Sequence, residues 1–465
     1  MSRDGTVCWL PIPSLDSASL FGSMLDAEKG GHFALAPDEP FEVSRRYLTD
    51  TNVLETTFKT STGTARVIDA MTLQLEPDLA PFRELVRLVE GVDGSVRFVW
   101  TVQPRFGYGT ETTRLSTRAG VSVFSSGNDA IALCTWDAGL ASVGGGAVTG
   151  SFTVSAGSST MLALAIAHQE PLVLPSRREV ERRLERTVAY WRDWAEARPV
   201  RGRYRDAVVR SALALKLLVH SPTGAVAAAA TTSLPEEVGG ERNWDYRFSW
   251  VRDSAFVMEA LLGLGCRDEA EAFFWWLMHA SQITHPHLQV LYRLDGGANA
   301  KERTLPLDGY RGSRPVRIGN KAIDQRQLDI YGDLMQTAWL YAEAGYEVDR
   351  EFGDRLAAIA DLVTEIWARP DAGIWEVRSE FEYFTQSKML CWVALDRAIR
   401  LATAGHIPSL HVDRWTAAAR DVRAFIEERC WSTEKRSYTR VADGEDLDAS
   451  VRVAGRAARL RRRER

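Results

Sequence analysis

The sequence predicts a multidomain β + α protein: an N-terminal antiparallel β-sandwich, a linker helix, then an array of α-helices. Three observations carry this. Up to about residue 172, short apolar or alternating runs recur, broken by Gly, Asp, Asn and Ser. From about Tyr204 the apolar residues recur instead at helical period. Between them lies one strongly charged helical stretch. The 465 residues suffice for two or three domains, and 45% apolar content can fill large cores.

The β region, residues 1–172, contains VLETTFKT, ARVIDAMTL, SVRFVWTVQP, GVSVFSS, AIALCTW, GSFTVSA and TMLALAIA. Short strands at this spacing suit a sandwich. No catalytic cluster occurs there, so its expected role is structural. In the linker, residues 173–203, Ser176 is placed to cap a helix running to Ala197, and the charges at helical spacing mark a solvated face. Residues 204–450 carry helical candidates at Asp206–Leu218, Asp253–Leu264, Asp268–Ala280, Asp324–Ala344, Arg350–Ala368, Glu382–Ala404 and Val412–Glu428. Long Gly/Pro/Arg-rich loops, notably His285–Asn320, separate some of them, and such loops are where sites are expected.

Composition excludes several classes. With 57 basic against 62 acidic residues, the net charge of -5 gives no general attraction to nucleic acid or anionic membrane. No apolar run is long enough for a membrane span. The N-terminus has no signal-peptide core, and the five scattered cysteines form no CxxC pair, so a cytoplasmic protein with reduced thiols is expected. Fifteen tryptophans suit flat ring ligands as well as a core.

Four clusters could carry chemistry. NWDYRFSWVRD, Asn243–Asp253, crowds aromatic, Arg and Asp residues at a helix entry. Aromatic faces with Arg and Asp hydrogen bonds match a pyranose ring, whereas a lone Asp253 would be an ordinary first-turn residue. LDGYRGSRPVRIGNKAIDQRQLD, Leu307–Asp329, lacks the GxxxxGK[ST] pattern of a phosphate loop and reads as an arginine-bearing loop lining a cavity. In GIWEVRSEFEYFTQSK, Glu376 follows Trp375; a carboxyl desolvated by such a neighbour stays protonated and can act as a general acid, although a surface Glu at a helix entry has the same spacing. His285 and His287, in HPH, are a weak metal signal.

Taken together, these segments resemble glycoside hydrolase family 15, the glucoamylase and bacterial trehalase group. RNWDYRFSWVRD with LGCRDEAEAFFWWL, GYRGSRPVRIGN with the following Gln and Asp residues, and GIWEVR with FTQSKMLCWVALDRAIRLA follow its bacterial branch in order and spacing. SRDGTVCWLPIP resembles the start of its N-terminal domain. The resemblance implies an (α/α)6 barrel after the sandwich and inverting hydrolysis of α-glucosides from the non-reducing end. It implies Glu376 as the general acid, Arg252 and Asp253 as contacts to the terminal glucose, and Trp244 and Trp375 lining the same pocket. It implies an α-glucoside partner, trehalose or a maltooligosaccharide, and no metal or organic cofactor.

The chain departs from that pattern at its end. About seven helical candidates leave a barrel incomplete by on the order of 150 residues. The family's second carboxylate, the base, is expected in that portion, and no residue before Ser450 is named for it. Residues 451–465 form an atypical tail, with seven arginines among 452–465, expected from out-of-frame translation rather than from nucleic-acid binding. The expectations are therefore a truncated chain of low solubility and little activity, or alternatively a carbohydrate-binding remnant without the base.

Overall fold

The computed structural model describes residues 1–75, 80–81, 83–378, 380–452 and 454. The expected tail thus lies mostly outside the described residues; Val451 and Ala454 are buried. The chain divides into two compact units. The first comprises Met1–Leu217, Thr231–Trp244 and Thr304–Val316, and the second Leu218–Ala230, Asp245–Arg303 and Arg317–Arg465.

The first unit is built on an 11-stranded antiparallel sheet folded into two layers by one long strand, Arg83–Gln103. Its first half pairs with Gly63–Met71 and Ser159–His168. Its second half pairs with His32–Pro37 and Ala147–Ser155. The changeover falls at Gly91–Gly94, beside a bulge at Thr64/Ala65. Bulges and glycines bend strands in this way. The inward residues of both layers, among them Phe33, Leu35, Phe58, Val67, Val89, Phe98 and Trp100, share one core. This is the expected sandwich.

Helix α1, Arg177–Glu196, starts at Ser176, whose hydroxyl and the Glu179 carboxylate form a reciprocal capping box. The sequence expects a linker here, and the helix belongs to the first unit. Arg183 grips Glu84 of the sheet with two bonds of 3.0 and 2.6 Å, and Thr187 accepts the Leu73 amide at 2.9 Å.

The remaining helices are α2 Arg205–Leu218, α3 Ser254–Gly263, α4 Arg267–Gln282, α5 Ile330–Glu343, α6 Arg350–Ile366, α7 Thr385–Thr403 and α8 Val412–Arg429. Within the second unit, α5 packs against both α3 and α7, while α4, α6 and α8 pack onto this row. Residues of α5 and α7 are therefore buried nearly all round. Gly332 permits the α5–α7 approach, since a Cβ there would lie 2.4 Å from the Leu390 carbonyl oxygen. The α6 helix is amphipathic and capped by Asp349, which accepts the Phe352 amide at 2.8 Å. Among the described residues no helix is long and apolar enough to cross a membrane.

One helix starts later than its periodicity predicts. Asp324–Ala344 is expected, but a short 3-10 turn, Lys321–Asp324, is followed by non-helical chain before α5 begins at Ile330. Tertiary bonds hold that segment open: the Leu328 amide donates to Asp371 Oδ2 at 2.9 Å, and the Ala372 amide donates to the Arg326 carbonyl at 3.0 Å.

Candidate active site

The Asn243–Asp253 stretch separates into parts with different partners. Trp244 belongs to the first unit, where its indole donates to Glu236 Oε1 at 3.3 Å. Asp245 and Arg247 are buried against each other, Oδ1 taking Nε and Oδ2 taking Nη2, each at 2.8 Å. Oδ2 also accepts the Gly319 amide at 3.0 Å, and the Asp245 carbonyl accepts Asn320 Nδ2 at 3.1 Å. Only glycine fits at 319, with φ of +73° and a Cβ position 2.1 Å from the Lys301 carbonyl oxygen. Phe248 and Trp250 enter a small core with Val290 and Leu291.

Arg252 and Asp253 follow a two-residue strand, Ser249–Trp250, paired with Leu291–Tyr292. Asp253 stands at the N-cap of α3, yet its side chain makes no capping bond. Arg252 reaches across to the loop before α7. Its Nη2 donates to Glu376 Oε1 at 2.8 Å, and its Nη1 donates at 3.2 Å both to Gln327 Oε1 and to the Ile374 carbonyl. The guanidinium also stands 5.1 Å from the centroid of the Trp250 ring.

Glu376 sits in a tight turn with φ of +54°, a costly conformation for a residue with a Cβ. The Gln325 amide donates to the Glu376 and Val377 carbonyls at 3.2 and 3.3 Å. The sequence expects Trp375 to desolvate Glu376. Instead Trp375 is 59% exposed, its indole donating to Asp448 Oδ2 at 2.7 Å. Glu376 is nevertheless largely buried, its side chain 15% exposed beside Arg252.

Two further carboxyls come from one face of α5. Asp329 at its N-cap accepts Gln386 Nε2 on Oδ2 at 3.2 Å, while its Oδ1 is without a partner among the described residues. Asp333, one turn on, has an Oδ2 without a partner among the described residues. Burial raises the Asp253, Asp329 and Glu376 carboxyls above their ordinary range, and Arg252 opposes this only in part. Asp333 is raised well above it, by burial and then by the nearby Asp329 charge. One guanidinium shared among this many carboxyls offsets only part of their desolvation, which shifts the cluster toward its protonated forms.

Asp371 lies behind the cluster. It accepts the Leu328 amide at 2.9 Å and the Ser387 hydroxyl at 2.8 Å, and burial pushes it to about 6. A cavity of about 700 Å³ opens beside the cluster, lined by Arg252, Glu259, Asp333, Gln386, Arg397 and Ser450 among others. That volume lies within the usual range for small-molecule sites.

The structure thus brings Arg252, Asp253 and Glu376 into one electrostatic cluster. Sequence reasoning missed Gln325, Gln327, Asp333 and Gln386. An alternating Gln-x-Gln-x-Asp run from 325 to 329, with Asp333 four residues on, was the available signal. The Leu307–Asp329 loop was expected to bring arginines to a cavity. Its Arg317 faces Glu302 at 3.6 Å and Arg326 bonds the Pro370 carbonyl, so its contribution is instead amide and carboxyl.

The chain is similar to known proteins over nearly its whole length. Residues 202–461 match the model for glycosyl hydrolases family 15, and residues 1–191 match the trehalase-like N-terminal model. A trehalase of Thermoplasma volcanium is 33% identical over 455 residues, covering 97% of this chain and 72% of that protein. A trehalase of Mycobacterium tuberculosis is 35% identical, covering 97% of this chain and 69% of that protein. A bacterial glucoamylase solved with acarbose shares the fold, with a TM-score of 0.65 at 13% identity, over 96% of this chain and 68% of that one.

Proposed function

The chain belongs to glycosyl hydrolases family 15, a family of glycosidases acting on α-glucosides, and from that premise we propose that it hydrolyses trehalose with inversion, Glu376 acting as general acid. The observation that supports this most is the Arg252–Glu376 pair: a carboxyl pushed up by burial, aimed by a guanidinium that also lines a cavity of about 700 Å³.

In this reading Arg252 and Asp253 bind hydroxyls of the glucose whose anomeric bond breaks. Trp375 supplies a ring contact, and the resemblance adds Trp244. Glu376 gives its proton to the bridging oxygen as the C1–O bond breaks, and water adds to C1 from the opposite face, losing its proton to a second carboxylate. None of the described carboxyls is assigned that second role. None of the five cysteines is in a disulfide, which suits a reducing compartment, and we infer a cytoplasmic location.

Trehalose makes the stereochemistry legible. Inversion releases one glucose as the β anomer, from the attacked ring, and one as the α anomer, from the leaving group. Proton NMR at early times should show equal α and β signals before mutarotation. Two α products would mean retention and would overturn the mechanism. Faster turnover of maltotriose than of trehalose would overturn the substrate choice. Trehalose-induced thermal stabilisation without glucose release would favour a binding protein.

A further inference from the structure

Glu376 is held from two directions by one closed ring of hydrogen bonds. Its carboxylate accepts Arg252 Nη2 at 2.8 Å. Arg252 Nη1 donates to Gln327 Oε1 at 3.2 Å, Gln327 Nε2 donates to Gln325 Oε1 at 3.1 Å, and Gln325 Nε2 returns to the Glu376 carbonyl at 3.2 Å. The orientation of both amides follows from the ends of the chain. A guanidinium can only donate, so Gln327 must turn its oxygen to Arg252 and its nitrogen to Gln325. A main-chain carbonyl can only accept, so Gln325 must present its nitrogen there. Both ends demand the same direction, and no alternative flip satisfies either amide. The Val377 carbonyl takes the same Gln325 nitrogen at 3.3 Å, so two successive peptides of the strained turn are clamped.

The clamp sits where the backbone needs it. A non-glycine residue at φ of +54° persists only when its surroundings over-determine it. The 325–328 segment stays out of the helix because Leu328 and Arg326 are bonded to the chain at Asp371–Ala372. A continuous helix from Asp324 would have carried both amides away.

We propose that Gln325 and Gln327 are positioning residues for proton donation, their amide relay fixing both the main chain and the carboxyl of Glu376. This rests on the general-acid reading above. The relay touches neither the leaving group nor the attacking water; it acts through Glu376.

The test is Gln325→Met in the full chain, which preserves the volume and removes both donations. Trehalose, whose sugar oxygen must be protonated to leave, is compared with α-glucosyl fluoride, whose fluoride leaves with far less help. The expected result is a loss in kcat of about 10²-fold on trehalose and less than about fivefold on the fluoride, with trehalose KM within about threefold. Equal losses on both substrates, or no loss on trehalose, would overturn the relay. Glu376→Ala separates the two claims: if it fails to discriminate between the substrates, the general-acid assignment falls whatever Gln325→Met does. Should Gln325→Met fail to melt cooperatively, Gln325→Glu keeps the shape and the acceptor but not the donors, and the same pattern is expected. Without measurable turnover, binding of 1-deoxynojirimycin across pH supplies the readout. Loosening Glu376 from Arg252 should raise the pH midpoint of binding, and an unchanged midpoint would overturn the proposal.

Discussion

Asp245–Arg247 and Arg252–Glu376 are two buried arginine–carboxylate pairs whose arginines lie five residues apart in one stretch, and they do opposite work. The first is saturated. Both Asp245 oxygens meet Arg247 side-chain donors, and the Gly319 and Asn320 bonds tie it to a neighbouring loop. The second is overdrawn: Arg252 is the shared counter-charge of Glu376, Asp253, Asp329 and Asp333, and oxygens of Asp329 and Asp333 have no partner among the described residues. A saturated pair stabilises a turn; an unsaturated cluster facing a cavity is a set of groups waiting for hydroxyls and protons.

The sharpest way to break this contrast is Arg247→Met. Removing one partner of a saturated buried pair should cost about 3–5 kcal/mol of stability. Urea unfolding checks this, and a loss below roughly 1 kcal/mol would remove Asp245–Arg247 from the scaffold. Arg252→Met should be felt mainly in catalysis, lowering kcat/KM on trehalose by about 10²-fold, with a smaller loss of stability than Arg247→Met because the carboxyls it leaves can take up protons. Because Arg252 holds the Glu376 carboxyl down against the effect of burial, its removal should also move the basic limb of the pH–rate profile upward.

Asp371 gives a smaller, pH-dependent test. Its folded value of about 6 exceeds the ordinary 3.8, so the folded protein binds this proton more tightly than the unfolded chain. Its contribution is most favourable below pH 3.8 and is lost as pH rises through about 6. Relative to wild type, Asp371→Asn should therefore gain about 1–3 kcal/mol between pH 4 and pH 7. Denaturant titrations at several pH values measure that slope, and a flat difference would mean that Asp371 ionises normally. The smallest effect is expected at the rim. Asp448→Ala frees the exposed Trp375 indole and should raise trehalose KM about twofold to fivefold, with kcat unchanged.

Much of the architecture was legible. The helix α6, with Asp349 before an amphipathic run, and α1, with Ser176 and Glu179, announce themselves because caps and periodicity are local properties. Glu376, Arg252 and Asp253 were legible through motif resemblance, and the structure gathers them. Gln325 and Gln327 were not, because their segment carries a helical pattern that Asp371 and Ala372 overrule from more than forty residues away. The exposure of Trp375 was equally hidden, since adjacency in sequence does not determine which of two neighbours turns inward.

By itself, the amino-acid order determined where strands give way to helices, which family's motifs recur, and which residues could carry a proton. Those are matters of period, composition and spacing, which a chain holds before it folds. Only the tertiary structure decided which charges are saturated, that Glu376 is clamped by two glutamines, and that Asp329 and Asp333 share Arg252. Desolvation and hydrogen-bond satisfaction depend on what surrounds a group in space, and those surroundings come from segments far apart in the chain.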